Sequence, residues 1–226
     1  MHGPANYGLL ETRSGTLVAE ERHSSRVRER YDRLAPYITL IDHLLLMSLC
    51  RIRARAIRRL PIAAGDTAIE LGCGTGRNFP HLRSAVGCDG RVIGVEFSSR
   101  MFARAVDFAR RERLDIELVK DDIAHFPVPA ANVVLLSLCY HTLEYPTQTL
   151  TRIWDSLRPG ACLAILDGKQ PNFAEKLIRP FGEKVLETIF MGDADLKPWE
   201  NLARLGPMQM KEFVFGAYYV CWAVKP

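Results

Sequence analysis

Clusters of cysteine and histidine of the kind that bind metals are missing from this sequence. Its six cysteines lie far apart and form no Cys-x-x-Cys pair. A structural zinc site needs clustered ligands, so no metal is expected. Several of the cysteines lie in apolar runs, where a free cysteine behaves as a small hydrophobic residue. We therefore expect reduced, buried thiols and a cytoplasmic protein.

Segments that would direct the chain to a membrane or across one are not recognisable either. The first residues show no cationic start followed by an apolar run, so no signal peptide is predicted. The stretch 38–52 is mostly apolar, but it is shorter than the roughly 20 residues of a spanning helix. It suits a helix that covers a site or lies on a membrane surface, so peripheral membrane contact stays open.

Charge of one sign is not concentrated, since 30 Lys and Arg stand against 26 Asp and Glu and leave a net charge of +4. A basic stripe with interleaved aromatic residues is lacking, so nucleic acid is not an expected partner. With 48% hydrophobic residues in 226, the chain can bury one sizeable core. Composition says nothing of the oligomeric state.

Strand-like and helix-like segments alternate from residue 61 onward. Strands are predicted at 67–71, 91–96, 116–119, 132–138 and 162–167, with helices at 77–83, 98–113 and 147–157. This alternation predicts parallel βαβ units with right-handed crossovers. The last two segments, 210–215 and 217–224 with a hinge at Gly216, predict an antiparallel pair at the sheet edge. The fold class is therefore α/β, with a seven-stranded, mostly parallel sheet, an antiparallel last strand and helices on both faces.

The remaining segments are expected to cover the sheet. Residues 1–60 are interpreted as a loose arm and a helical cap, broken where Ala35 precedes Pro36, and residues 61–226 as one compact domain. A further helix is predicted at 173–190, followed by an irregular polar stretch with two prolines. The aromatic and apolar residues of these covering segments would roof an acceptor pocket: Phe173, Phe181, Phe190, Met191 and Trp199.

The most informative segment joins the first strand to the helix after it. An acidic residue, Glu70, precedes three glycines at alternating positions, Gly72, Gly74 and Gly76. Glycine permits a sharp turn and the close approach of a ligand, and the helix N-terminus beyond favours a carboxylate or phosphate. A dinucleotide fingerprint would need glycine where Arg77 stands, so a nicotinamide-dependent oxidoreductase is disfavoured.

This pattern resembles motif I of the class I S-adenosylmethionine-dependent methyltransferases, and three later segments agree with it. The second strand ends in Glu96, where a carboxylate can accept hydrogen bonds from both ribose hydroxyls. Segment 120–127, KDDIAHFP, resembles the family's segment after strand three, although glycine is common where Asp121 stands. Segment 157–160, LRPG, resembles the turn before strand five. The matches cover about residues 60 to 167 in the family's order.

The resemblance implies a Rossmann-like sheet and S-adenosylmethionine as cofactor, with S-adenosylhomocysteine as product. Glu70 would lie near the amino group of the ligand and Asp122 beside the adenine, and Met101 is either an adenine cover or a core residue. Tyr31 lies in a segment that looks like the start of the quinone-biosynthesis and phospholipid N-methyltransferase branches; it would contact the ligand carboxylate or simply pack. The expected cofactor-binding residues are Tyr31, Glu70, Gly72, Cys73, Gly74, Gly76, Asn78, Glu96, Phe97, Met101, Asp122, Ile123 and Ser137.

The residues after strand four would face the transferring methyl group in this fold. His141 is the candidate base, because an unperturbed imidazole pKa near 6.5 suits proton uptake at neutral pH. The alternative is that His141 only hydrogen-bonds the loop. Tyr140 is the second catalytic candidate and would line the pocket, whereas Cys139 is placed within the apolar strand and is not expected to react.

The sequence thus predicts a methyltransferase for a small, hydrophobic acceptor, which is a lipid headgroup amine, a quinone precursor or a secondary metabolite. Two alternatives stay open. One is a non-catalytic protein that binds S-adenosylmethionine. The other is an RNA or protein methyltransferase, although these usually carry a recognition module or an Asn/Asp-Pro-Pro-aromatic tetrad, and residues 139–142 read CYHT.

Overall fold

The computed structural model describes residue 29 and the ranges 49–169 and 196–226. Within these ranges seven strands form one sheet: β1 (Thr67–Leu71), β2 (Arg91–Val95), β3 (Glu117–Val119), β4 (Val133–Ser137), β5 (Cys162–Gly168), β6 (Met208–Phe213) and β7 (Tyr218–Val224). Their order is β3-β2-β1-β4-β5-β7-β6. Strands β1 to β5 are parallel, and β7 runs antiparallel to both β5 and β6. The predicted α/β sheet is confirmed.

Helices cover both faces of this sheet. They are residues 49–57 (α1), Phe79–Val86 (α2), Ser99–Arg111 (α3), Pro146–Ser156 (α4) and Pro198–Leu205 (α5), with a short 3-10 helix at Tyr140–Thr142. One buried cluster packs α1, α2 and α3 on one face, and a second packs α4 and α5 on the other. Every residue of β4 and β5 is buried, as expected for strands covered on both sides.

Helix α5 was not predicted, because this stretch was expected to be a polar connection with two prolines. That prediction is wrong. Pro198 occupies the first turn of the helix, where its missing N–H would have had no intrahelical partner in any case. Leu202 is fully buried and fixes the helix on the sheet. The final hairpin also differs, since β6 begins at Met208 and the chain turns over residues 214–217.

Several predictions fall outside the described residues. They are the arm at 1–25, Tyr31, most of the helical segment 27–60, and the helix at 173–190 with its aromatic side chains. In the part of the chain that the structure describes, we find no helix of sufficient length and apolarity to span a membrane.

The strand order brings three loops together. Because β1 lies between β2 and β4 and all three are parallel, their carboxyl ends meet at one edge of the sheet. The order reverses at β1, and this reversal is where open α/β sheets bind ligands. The glycine loop, the loop after β2 and the loop after β4 all lie there.

Candidate active site

The glycine loop follows β1; one side of it packs against the protein, and the other side is free of atoms of the described residues at Gly74. The backbone N–H groups of Gly72 and Cys73 donate to the Val95 carbonyl at 2.9 and 3.0 Å, which ties the loop to β2. Gly72 has φ +69°, and a Cβ there would lie 3.0 Å from Cys139 Sγ. Gly74 has φ +57°, yet a Cβ there would meet no atom of the described chain within 4 Å. A ligand can therefore approach the backbone at Gly74 without meeting a side chain.

The carboxylate of Glu96 is fixed where the glycine loop meets α3. Its Oε2 accepts from the Gly74 N–H and its Oε1 from the Ser98 N–H, both at 2.8 Å, and the residue is 5% exposed. Ser98 caps α3 by accepting from the Met101 N–H at 3.2 Å. Met101 is buried on the first turn of that helix, and Phe97 is half-buried between these residues. The carboxylate expected to bind the ribose is thus fixed by the backbone N–H of Gly74.

Glu70 and Asn78 form a buried network with a residue of α1. Asn78 Nδ2 donates to Glu70 Oε1 at 2.6 Å, and Arg53 Nη1 donates to Asn78 Oδ1 at 3.2 Å. Burial raises the pKa of Glu70 to about 7, against the Asn78 hydrogen bond and the Arg53 charge, which lower it. Contacts of Glu70 and Asn78 with the ligand remain predictions. Arg53 was not identified from the sequence, where it is one of many arginines on a helix.

The turn after β3 carries Asp122 and Ile123. Asp122 Oδ1 accepts from the Ala124 N–H at 3.0 Å, so this side chain shapes its own turn. Ile123 is buried, and its Cδ1 would lie 3.2 Å from a Cβ on Gly72. Arg152 of α4 donates to the carbonyls of Ile123 and Phe126, the second at 2.8 Å, and so holds the turn from behind. No pattern in the sequence indicates this role of Arg152.

The chain turns sharply after β4. Ser137 ends the strand, and its buried Oγ has no hydrogen-bond partner within the described ranges. Leu138 has φ +56°, a strained conformation for leucine, while its N–H donates to the Leu166 carbonyl at 2.8 Å. The turn places Cys139 under the glycine loop, with Sγ 3.4 Å from the Leu71 carbonyl. Cys139 was predicted inside the strand, which is wrong because the backbone leaves the sheet at Leu138.

The turn also brings His141 beside Asp167 at the end of β5. His141 Nε2 lies 3.8 Å from Asp167 Oδ2, and the two side chains are 8% and 3% exposed. Asp167 Oδ1 accepts from the Gly168 N–H at 2.8 Å, and the backbone N–H groups of Tyr140 and His141 also bind this carboxylate. Burial raises the pKa of Asp167 to about 6, although the His141 charge and these hydrogen bonds act in the opposite direction.

Asp167 was missed as a site residue. Its only signal in the sequence is an acid at the end of an otherwise apolar strand. The side chain of Tyr140 is fully buried, and its hydroxyl accepts from Asn201 Nδ2 of α5 at 2.8 Å. Its ring lies edge-on to the His141 ring with centroids 6.0 Å apart. A catalytic role for Tyr140 or His141 remains a prediction at this point. Trp199, expected to roof the pocket, packs edge-on against Tyr219 at 5.1 Å.

These residues fit the cofactor that the sequence implies. A Cβ on Gly74 would meet no atom of the described chain within 4 Å, and the Gly74 N–H fixes the Glu96 carboxylate at 2.8 Å. The buried Ser137 hydroxyl, with no partner among the described residues, supplies a further polar group. Gly76 packs against the Phe79 ring and Cys73 is buried, so these two shape the loop from behind. No group of three or more potential metal ligands occurs in the described ranges.

Comparisons with known proteins agree on one family. A family model described as a methyltransferase domain matches residues 68–160. The chain is 29% identical over 151 residues to the demethylmenaquinone methyltransferase of Lactobacillus johnsonii, covering 65% of this chain and 62% of that protein. It is 30% identical over 162 residues to the 2-phytyl-1,4-naphtoquinone methyltransferase of Synechococcus elongatus, covering 70% of this chain and 69% of that protein.

A solved structure supports the fold. The chain superposes on a SAM-dependent methyltransferase from Aquifex aeolicus with a TM-score of 0.56 and 20% sequence identity. The match covers 76% of this chain and 88% of that protein. At this identity the likeness concerns the fold, and it agrees with the strand order described above.

Proposed function

Since this chain belongs to the class I S-adenosylmethionine-dependent methyltransferases, with S-adenosylmethionine as its cofactor, we propose that its acceptor is a small apolar quinol. The similar proteins named above act, by their names, on a demethylmenaquinone and on a phytyl naphthoquinone. The proposal rests on the buried pair of His141 and Asp167, which lies at the carboxyl ends of β4 and β5 (the acceptor end of the sheet). A quinol hydroxyl must lose a proton before its ring becomes a good nucleophile, and this pair could accept that proton.

The cofactor would be held by the loops at the carboxyl ends of β1, β2 and β3. Glu96 would accept the ribose hydroxyls, the backbone at Gly74 would lie against the ligand, and Asp122 with Met101 would border the adenine. When bound, S-adenosylmethionine supplies a methyl group activated by the positive charge of its sulfonium. The protein's main task is to align the acceptor with that methyl group and to exclude water, since proximity supplies much of the rate.

We assign proton removal from the acceptor to His141. Its imidazole accepts the hydroxyl proton, and the Asp167 carboxylate at 3.8 Å stabilises the imidazolium that results. Asp167 is a positioning residue, because three backbone N–H groups fix its carboxylate and it acts through His141. The Tyr140 ring lies edge-on to the imidazole, and its hydroxyl is held by Asn201. The roof of the pocket is proposed to come from residues 27–60 and 168–210.

The test begins with calorimetric titration of S-adenosylmethionine and S-adenosylhomocysteine. Turnover is then measured with three acceptors: a short-chain naphthoquinol, a simple phenol and an ethanolamine lipid headgroup. We expect methylation of the quinol. In His141→Gln, kcat should fall by about 100-fold, because general base catalysis is lost, while affinity for S-adenosylmethionine is unchanged.

His81→Gln is the matched control, since this histidine lies on α2, which packs on the opposite face of the sheet from Tyr140, and its Nε2 lies 3.9 Å from Cys50 Sγ of α1. It should leave kcat at the wild-type value. Methylation of the headgroup amine with no activity on the quinol would contradict the proposed acceptor. An unchanged kcat in His141→Gln would contradict the proposed base.

A further inference from the structure

The hairpin between β6 and β7 ends in exposed apolar side chains. The sequence across the turn, residues 213–218, reads FVFGAY and contains no charged residue. Val214 is 49% exposed and Phe215 is 83% exposed. Among the large hydrophobic residues that the structure describes, Tyr145 is the only other exposed one, at 38%. Two neighbouring exposed side chains at one turn therefore stand apart from the rest of the described surface.

The backbone of this turn does not favour the residues that occupy it. Val214, Phe215 and Gly216 all have positive φ, at 51°, 54° and 86°. The Gly216 N–H donates to the Phe213 carbonyl at 3.1 Å and closes the turn. Hairpin turns with two left-handed residues favour Asn-Gly, and a β-branched residue in this region is an outlier. The side chains of Val214 and Phe215 are thus unfavourable both for the backbone conformation of the turn and for exposure to water. Their presence indicates that the turn contacts another surface.

The position of the turn relates it to the acceptor end of the sheet. Gly168 pairs with Tyr218 and Asp167 pairs with Tyr219 in the β5–β7 ladder. The Lys169 N–H donates to the Ala217 carbonyl at 2.9 Å, immediately beyond the end of β5. The turn therefore projects from the same edge of the sheet at which Asp167 and His141 lie. A surface that contacts the turn also faces the acceptor side.

The charged residues next to the turn suit the headgroup layer of a lipid bilayer. Lys211 is exposed on β6, three residues before Val214. Lys169 Nζ and Glu212 Oε1 form an ion pair at 2.5 Å at the base of the hairpin. An apolar tip with an aromatic ring, close to one exposed lysine and one ion pair, suits a lipid bilayer surface, where aromatic side chains and lysines concentrate at the headgroup level.

We propose that the hairpin tip, Val214 and Phe215, binds the surface of a lipid bilayer and so presents the acceptor end of the sheet to apolar molecules dissolved in that bilayer. This proposal rests on the proposed function in one respect, which is that the acceptor is an apolar molecule. Contact with the bilayer itself is a separate property of the chain. It is measured without the cofactor and without turnover.

The first test is co-flotation of the whole protein with vesicles of phosphatidylcholine and phosphatidylglycerol. The double variant Val214→Asn/Phe215→Gly removes both apolar side chains and installs the pair that the turn favours. We expect vesicle binding to fall by about tenfold or more, since burial of a large apolar side chain corresponds to at least that factor. The melting temperature should stay equal or rise, which separates lost contact from failed folding.

The second test places a probe at the tip. Phe215→Trp keeps an aromatic side chain, so vesicle binding should persist at the wild-type level. The chain already contains three tryptophans, so the emission of the added one is taken as the difference between Phe215→Trp and wild type. This difference should shift to the blue when vesicles are present, and brominated lipids should quench it. Unchanged emission of a vesicle-bound Phe215→Trp protein would place the contact elsewhere and overturn the proposal.

Other outcomes are equally decisive. Wild-type protein that does not float with vesicles, or a double variant that floats equally well, overturns the proposal. The proposal also fails if the wild-type protein is a dimer that does not bind vesicles and the double variant is a monomer, since the tip would then bind a second copy of the chain. With a short-chain, water-soluble quinol the double variant should turn over as fast as wild type. If wild type floats but methylates no quinol, the proposed function fails and the bilayer contact stands.

Discussion

Replacing Glu70 by glutamine is expected to make the folded protein more stable than wild type above neutral pH. Glu70 is 1% exposed, and its Oε2 has no hydrogen-bond partner within the described ranges. The other oxygen accepts from Asn78 Nδ2 at 2.6 Å, and a glutamine carbonyl can accept the same bond. The substitution can therefore keep the contact to Asn78 while it removes the buried negative charge and sets an amide NH2 in the place of Oε2.

The size of the effect follows from the pKa of this carboxyl. Burial raises it from 4.5 to about 7, which corresponds to about 3 kcal/mol of unfolding free energy. Because the folded-state pKa lies above the unfolded value, this stability is fully present below 4.5. It is lost as the pH rises through about 7. Wild type should thus lose stability across this window relative to Glu70→Gln, in which the group does not titrate.

The assay is urea denaturation of both proteins at about pH 5 and about pH 8, analysed for the unfolding free energy. The difference in unfolding free energy between the two proteins should change by about 2.5 kcal/mol in favour of the variant from the lower to the higher pH. Glu112→Gln alters an exposed carboxyl and should follow wild type. The reasoning is refuted if wild type and Glu70→Gln show the same pH dependence, or if the variant is the less stable protein at about pH 8.

Two substitutions test the site itself. Gly74→Ala should lower the affinity for S-adenosylmethionine by about tenfold or more and cost about 1 kcal/mol of stability, because its Cβ fills the cofactor side at positive φ. Gly160 also has positive φ, and a Cβ there would meet no atom of the described chain within 4 Å. Gly160→Ala should therefore lose the same stability but keep the calorimetric affinity for S-adenosylmethionine. Equal losses of affinity in both variants would contradict the placement of the cofactor at Gly74. Asp167→Asn should remove the rise of kcat with pH that accompanies ionisation of the wild-type carboxyl near its pKa of about 6. An unchanged pH profile would mean that His141 works without Asp167.

The parts of the site that could be predicted are those encoded by neighbouring residues. The spacing from Glu70 to Gly76 prescribes a strand, a sharp turn and a helix, and each step depends only on local backbone preferences. Glu96 could be placed because a carboxylate that ends the second parallel strand must lie at the same edge as the glycine loop. Local pattern and strand order were enough for both.

The parts that could not be predicted depend on contacts between distant segments. Asp167 meets His141 only because β4 and β5 pair in a register that sets Ser137 opposite Leu166. No local pattern specifies that register. Arg53 reaches Asn78 only because α1 packs on the face of the sheet that Glu70 also faces. The helix at Pro198 was not predicted, since the packing of Leu202 that stabilises α5 is likewise a tertiary contact.

The non-glycine residues with positive φ show where the sequence departs from local preference. Arg113 follows the end of α3, a common position for a left-handed residue. The other described ones, Leu138, Val214 and Phe215, lie in turns at the carboxyl edge of the sheet. At Leu138 the left-handed conformation turns the chain out of β4 and carries His141 toward Asp167, so there the backbone path itself is what the site requires. At Val214 and Phe215 glycine or asparagine would form the turn more easily. The backbone conformation therefore does not explain why these two side chains are there. The first turn brings the imidazole to Asp167, and for the second we have proposed a bilayer surface as the contact of its two apolar side chains.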